Sequence, residues 1–101
     1  NSGILATGAV DGAMYNYAPA PADVLARVRR IEQVCARYQV SLRAAALQFP
    51  FGHPAVATVI PGARSVAEVR ENVELLEMEI AADFWAEIKE EGLVDGDAPL
   101  P

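Results

Sequence analysis

Three residues with anion-binding character, Gly62, Ala63 and Arg64, stand directly before a predicted helix start. Glycine lets the backbone approach a ligand closely, and an arginine guanidinium fits phosphate oxygens in a bidentate manner. The helix that begins at Ser65 adds free N–H groups and the positive end of its dipole. Asn72, two turns later, offers a donor and an acceptor that suit an adenine edge. The segment therefore carries groups that favour a nucleotide.

A purely structural interpretation of the same residues is also open at this point. Ser65 and Glu68 are three positions apart at a helix start, which is the spacing of a capping box. Gly62 can serve simply as a turn glycine. The spacing by itself leaves nucleotide binding and helix capping as alternatives.

The elements around this segment must position it. The run Val56–Ile60 lacks polar alternation, which is typical of a strand covered on both faces in a parallel sheet. Because such a strand needs neighbours for its backbone N–H and C=O groups, it predicts sheet partners elsewhere. The helix after it, to about residue 77, carries apolar residues at Val66, Val69, Val73 and Leu76.

Three further helices are predicted, over about 21–38, 42–49 and 82–91. Ser41 suits the N-cap of the second, and Gly92 ends the third. We expect residues 1–20, which are rich in glycine and small residues, and the tail after Gly92 to be irregular. The first of these helices has one buried stripe at steps of three and four: Val24, Val28, Ile31, Cys35 and Tyr38.

These elements predict about four helices and one or two short parallel strands in 101 residues. A (β/α)8 barrel needs eight strand–helix units over about 250 residues, so a chain of this length holds roughly two. We therefore predict a single partial domain, residues 1–101, that is mainly α by content. We expect either the C-terminal fragment of a (β/α)8 TIM barrel, comprising the last two units, a C-terminal helix and a tail, or a chain whose sheet partners come from elsewhere.

The composition restricts the partners. A net charge of −6 and a pI near 4.6 argue against nucleic acid, which requires a basic face. No apolar run approaches the ~20 residues of a membrane helix. One cysteine, Cys35, and one histidine supply neither an internal disulfide nor a metal-ligand set. We expect no metal and a reducing, cytoplasmic location.

Two stretches resemble the aldo-keto reductase family. IPGARSVAEVREN, residues 60–72, is similar to the family's cofactor segment after the last barrel strand, with Ile-Pro, a short loop with a basic residue, and Glu-Asn. NSGILATG, residues 1–8, resembles the loop after the seventh strand, which lies along the cofactor's pyrophosphate. The AAALQFPFGHPAVATVIPGA run and Phe84-Trp85 are most similar to the D-threo-aldose (L-fucose) dehydrogenase branch.

This resemblance implies a barrel enzyme that moves hydride between NAD or NADP and a sugar or a related aldehyde or lactol. It places Glu68 near the adenosine ribose, and Glu71 and Asn72 near adenine. The adenosine-phosphate pocket would be lined by Gly62, Ala63 and Arg64, and the pyrophosphate would be followed by Asn1, Ser2, Gly3 and Leu5.

The sequence departs from the family pattern in the cofactor segment. Many relatives have Lys-Ser after Ile-Pro, where this chain has Gly62-Ala63, and many have arginine in place of Glu68. A carboxylate there repels a 2′-phosphate and accepts a hydrogen bond from a free 2′-hydroxyl, as acidic residues do in other dinucleotide sites. The hypothesis is a preference for NAD over NADP, with the helix-capping role of Glu68 still open beside it.

No catalytic residue is assigned within this chain. The family's Tyr, Lys, Asp and usual His come from earlier barrel strands, so Tyr15, Tyr17 and Tyr38 are not assigned that role. His53 is interpreted as a turn residue and Trp85 as core. We expect this chain to act together with the missing N-terminal part of the barrel.

The alternative function is a non-catalytic helical fragment. A strand and an alanine-rich helix without a barrel around them leave apolar surface exposed, which favours pairing with another copy. This interpretation predicts a homo-oligomer.

Overall fold

The computed structural model describes residues 3–101. They form α1 (Ile4–Thr7), β1 (Met14–Tyr15), β2 (Ala18–Pro19), α2 (Ala22–Tyr38), α3 (Leu42–Gln48), a 3-10 turn (Phe49–Gly52), α4 (Val66–Glu77) and α5 (Ala82–Glu90). The four longer helices lie within one residue of their predicted bounds, and the mainly α content is confirmed. No helix among these residues has both the length and the apolarity to cross a bilayer.

The main core lies where α2 packs on α5. Val34 and Phe84 are fully buried there, each with 0 % of its surface exposed. The Phe84 ring stands edge-on to Trp85 at 5.0 Å and to Tyr38 at 5.9 Å between centroids. Trp85, 5 % exposed, is a core residue as predicted. Leu100 also packs against this core, so the irregular tail is anchored.

The pair α3 and α4 is joined by polar contacts. Ser41 Oγ accepts a hydrogen bond from the Ala44 N–H at 3.3 Å, which confirms the predicted N-cap of α3. At the other end of α3, Gln48 Nε2 donates to the Leu75 carbonyl at 2.9 Å and to the Met78 carbonyl at 2.8 Å. These two carbonyls belong to the C-terminal end of α4, where the helix itself offers no donor. Gln48 therefore caps α4 and fixes it against α3.

The predicted strand at Val56–Ile60 is wrong. Within residues 3–101 no segment pairs with it, and the only ladder joins β1 to β2 in an antiparallel hairpin. The prediction of one or two short parallel strands is therefore also wrong for this part of the chain. A strand exists only where a neighbour completes its hydrogen bonds, and none is present here. Ile60, predicted to be buried, is 91 % exposed.

Three of the four residues in the predicted apolar stripe of α4 are exposed to solvent, and the fourth, Leu76, is half-buried. Val66, Val69 and Val73 are 68 %, 51 % and 50 % exposed, while Leu75 is buried at 5 %. The helical periodicity is correct, but no element among residues 3–101 covers that side of the helix.

Residues 3–20 are more ordered than predicted. The hairpin turn places Asn16 and Tyr17 at φ of 53° and 65°, the two positive values of a type I′ turn. Glu32 of α2 anchors the segment that precedes the hairpin, because the Glu32 Oε1 accepts a hydrogen bond from the Ala9 N–H at 3.2 Å. A Cβ on Gly8, whose φ is 85°, would collide with this carboxylate. The segment that contains α1 is therefore fixed against α2.

Candidate functional site

Two side chains of α4 hold the loop that precedes it. Asn72 Nδ2 donates to the Gly62 carbonyl at 3.1 Å. The Glu68 carboxylate accepts from the backbone N–H of Arg64 at 2.6 Å and from its guanidinium at 3.2 Å. The loop is therefore folded back onto the first two turns of the helix.

The capping box is present in a modified form. Ser65 Oγ accepts from the Glu68 N–H at 3.2 Å, so the N-cap half of the prediction is confirmed. The returning bond from the Glu68 side chain goes to Arg64, one residue earlier than a standard capping box requires. The Arg64 backbone N–H, followed by its guanidinium, lowers the pKa of the Glu68 carboxyl. Glu68 is therefore a half-buried carboxylate that already has partners.

A cleft of about 490 Å³ lies between the start of the chain and this loop. It brings together residues that are far apart in sequence and that the resemblance assigned to one cofactor. Gly3 and Leu5 meet Gly62 and Asn72 there. The other lining residues are Ile4, Ala6, Tyr15, Arg43, Ala46, Leu47 and Pro61.

The remaining predicted site residues do not line this cleft. The Arg64 side chain is 92 % exposed and paired with Glu68, and its phosphate-binding role stays a prediction. Ala63 is exposed, and Glu71 faces α3. Asn1 and Ser2 lie outside the described residues.

Among residues 3–101, Arg43 is the one basic residue that lines the cleft, and sequence reasoning missed it. It lies on the first turn of α3, and its Nη1 pairs with Oε1 of Glu71 on α4. Nothing in the local pattern marks Arg43, because its partner is 28 residues away on a different helix.

A second cavity of about 580 Å³ shares four lining residues with the cleft, Ile4, Leu5, Tyr15 and Ala46. Its walls are largely apolar and include core residues such as Trp85. His53 lies elsewhere, where its Nδ1 accepts from the Ala55 N–H at 3.1 Å, which confirms it as a turn residue. In residues 3–101 no three His, Cys, Asp or Glu side chains come together as a metal site.

Comparison with known proteins identifies similar chains. Pyridoxal 4-dehydrogenase of Microbacterium luteolum is 43 % identical over 94 residues, which cover 93 % of this chain and 28 % of that protein. D-threo-aldose 1-dehydrogenase of a Pseudomonas species is 38 % identical over 96 residues, which cover 93 % of this chain and 29 % of that protein. The chain thus spans less than a third of the length of these relatives. No solved structure gives a significant match.

The family comparison extends over nearly the whole chain. Residues 1–92 match the Aldo/keto reductase family, including the cleft, the loop and α4. Both relatives are dehydrogenases by name, and the family implies a nicotinamide cofactor. The chain therefore belongs to the aldo/keto reductase family of oxidoreductases.

Proposed function

We propose that this chain is the cofactor-binding C-terminal part of an NAD(P)-dependent (β/α)8 barrel enzyme. The enzyme transfers hydride from an aldose or a related aldehyde in its lactol form. The observation that carries this proposal is the cleft in which Gly3 and Leu5 meet Gly62 and Asn72. Residues predicted to contact the two ends of one adenosine diphosphate moiety share that cleft.

The cleft has space and donors for such a ligand. A Cβ placed on Gly3 or Gly62 would meet no atom within 4 Å, so a ligand can approach the backbone closely at both. Asn72 gives one N–H to the Gly62 carbonyl and retains a second N–H and its amide oxygen for adenine. When bound, the nicotinamide supplies the hydride acceptor, and this chain holds the adenosine half.

The preference for NAD over NADP rests on Glu68. Its carboxylate accepts from both the backbone N–H and the guanidinium of Arg64, so it competes with a 2′-phosphate for this arginine. A phosphate placed beside Glu68 would also meet a like charge, whereas a ribose 2′-hydroxyl can donate to it.

The test of this preference compares kcat/KM for the two cofactors in the complete enzyme that contains this chain. We expect a higher value for NAD, and a shift of about tenfold or more toward NADP in Glu68→Arg. Glu74→Gln, an exposed carboxylate on the same helix, is the control and leaves the ratio unchanged. A lower kcat/KM for NAD than for NADP in the unmodified enzyme refutes the preference.

The substrate class follows from the chemistry that the two relatives share by name. Pyridoxal and an aldose are both aldehydes with a hydroxyl group placed to close a cyclic hemiacetal. Oxidation removes the hydrogen of the hemiacetal carbon as hydride to the cofactor and the hydroxyl proton to a base, leaving a lactone. Reduced cofactor and lactone should therefore form in equal amounts from pyridoxal or an aldose. Turnover by residues 1–101 alone would contradict the assignment of the proton acceptor to the rest of the enzyme.

Self-association is the second candidate function, because three valines of α4 and Ile60 are exposed. Size-exclusion chromatography with light scattering measures the mass of the 101-residue chain in solution. A dimer or larger assembly supports this candidate, and a stable monomer counts against it.

A further inference from the structure

We infer that Arg43 binds the negatively charged diphosphate of the dinucleotide in the cleft. This inference rests on the proposed function, in which the cleft holds the adenosine half of the cofactor. It adds a residue on α3 to a site otherwise built from the start of the chain and the α4 segment.

The charge of the cleft favours an anionic ligand. Among residues 3–101, Arg43 is the one charged side chain that lines it, and the other lining residues are glycine, proline, aliphatic residues, a tyrosine and an asparagine. No carboxylate of these residues lines the cleft, although the chain as a whole has a net charge of −6. A cation without a neighbouring anion in the same wall attracts a diphosphate, because each of its phosphates is negatively charged.

The Arg43 guanidinium has donors left for such a ligand. Its Nη1 pairs with the Glu71 carboxylate, which holds the guanidinium in place from outside the cleft. Among residues 3–101, Glu71 is its only partner, so the edge formed by Nη2 and Nε can donate to two phosphate oxygens at once. The Arg43 side chain is 35 % exposed, which leaves it within reach of a ligand but partly shielded from water.

Arg43 and Arg64 should therefore act on different phosphates. Arg43 shares the cleft with Gly3 and Gly62, where a ligand can approach the backbone closely. Arg64 does not line the cleft and is paired with Glu68. Because NAD and NADP share the diphosphate, loss of Arg43 should weaken both by the same factor, whereas changes at Glu68 alter the ratio between them.

The experiment measures displacement of NADH from the complete enzyme, with NADH fluorescence as the signal for the bound cofactor. ADP carries the diphosphate as a competitor, and adenosine lacks it. We expect Arg43→Gln to weaken ADP about tenfold, since a charge-assisted hydrogen bond is lost, and to leave the Kd of adenosine unchanged. NAD and NADP should both weaken about as much as ADP does.

Two further variants make the result specific to the guanidinium. Arg43→Lys keeps the charge without the planar fork, so it should retain part of the affinity for ADP, and it replaces Arg43→Gln if that variant does not fold. Gln48 still ties α3 to α4 in both variants. Arg70→Gln is the matched control, because it removes the same charge from an exposed position of α4 and should change neither Kd.

The dependence of NADH binding on salt gives a second measurement that does not require adenosine. Added salt should raise the Kd of NADH less in Arg43→Gln than in the unmodified enzyme, because one ion pair with the ligand is missing. An Arg43→Gln enzyme with unchanged affinity for ADP, with equal losses for ADP and adenosine, or with the salt dependence of the unmodified enzyme overturns the inference. An unmodified enzyme that does not bind NADH refutes the proposed function instead.

Discussion

The α2–α5 core and the α4 segment differ in what holds them. In the core, Val34 and Phe84 have no exposed surface, and three aromatic rings pack edge to face. On α4, Val66 and Val73 are 68 % and 50 % exposed. The first region is held by apolar packing, which does not depend on precise polar partners.

The α4 segment is held instead by directional polar contacts. Asn72, Glu68 and Gln48 each bond to a backbone group of another segment or of the preceding loop. Two of these side chains, Asn72 and Glu68, are also proposed to bind the cofactor. Stability is thus concentrated in one region, and ligand chemistry in the other, where polar groups stay accessible.

The largest difference should come from truncating one apolar side chain in each region. Phe84→Ala should lower the free energy of unfolding by about 3–5 kcal/mol, because it opens a cavity in a fully buried site. Val73→Ala should change it by less than about 0.5 kcal/mol, since this side chain is half exposed. Urea unfolding followed by circular dichroism measures both. Equal losses would remove the distinction between the regions.

An intermediate effect is expected from the cap on α4. Gln48→Ala leaves the Leu75 and Met78 carbonyls without their donor and should cost about 1–3 kcal/mol. Gln33→Ala, at an exposed position of α2, is the control and should be close to neutral. If the two variants have the same unfolding free energy, polar contacts do not hold α4.

The smallest effect concerns the rim of the core, where Glu87 faces α2. Its pKa is lowered, first by a hydrogen bond from the Tyr38 hydroxyl and then by one from Arg37. Because the folded state favours the carboxylate, this contribution is complete above the ordinary pKa of 4.5 and is lost as the pH falls through the lowered folded-state value.

When the pH is lowered through that range, the Tm of Glu87→Gln should therefore fall less than the Tm of the unmodified chain. Added salt should reduce the difference, because the pair is at the surface. Glu90→Gln on the same helix serves as the control for removing one charge. A Tm profile of Glu87→Gln that parallels the unmodified one would show that this contact adds nothing to the core.

The helices could be predicted from sequence because their signals are local. Caps such as Ser41 and Ser65 act within three residues, and each apolar stripe repeats within a single helix. The hairpin was missed because Tyr17 occupies a positive-φ position at which glycine is the usual signal.

Other features could not be predicted from the local sequence pattern. The apolar run at Val56–Ile60 has the composition of a buried strand, but a strand is defined by a partner, and no described residue supplies one. Arg64 was selected for its charge and its place before a helix, and its pairing with Glu68 was not anticipated. The contact between Arg43 and Glu71 could not be predicted, because it forms only when folding brings α3 beside α4.

The aromatic cluster also provides a fluorescence signal for the folding of the molecule. Trp85 is the single tryptophan of the chain, and it sits against Phe84 and Phe49 with 5 % of its surface exposed. Its emission should be shifted to the blue in the folded state and move to the red when the α2–α5 core opens. Because Trp85 does not line the cleft, its emission should change on unfolding but change little when a nucleotide binds.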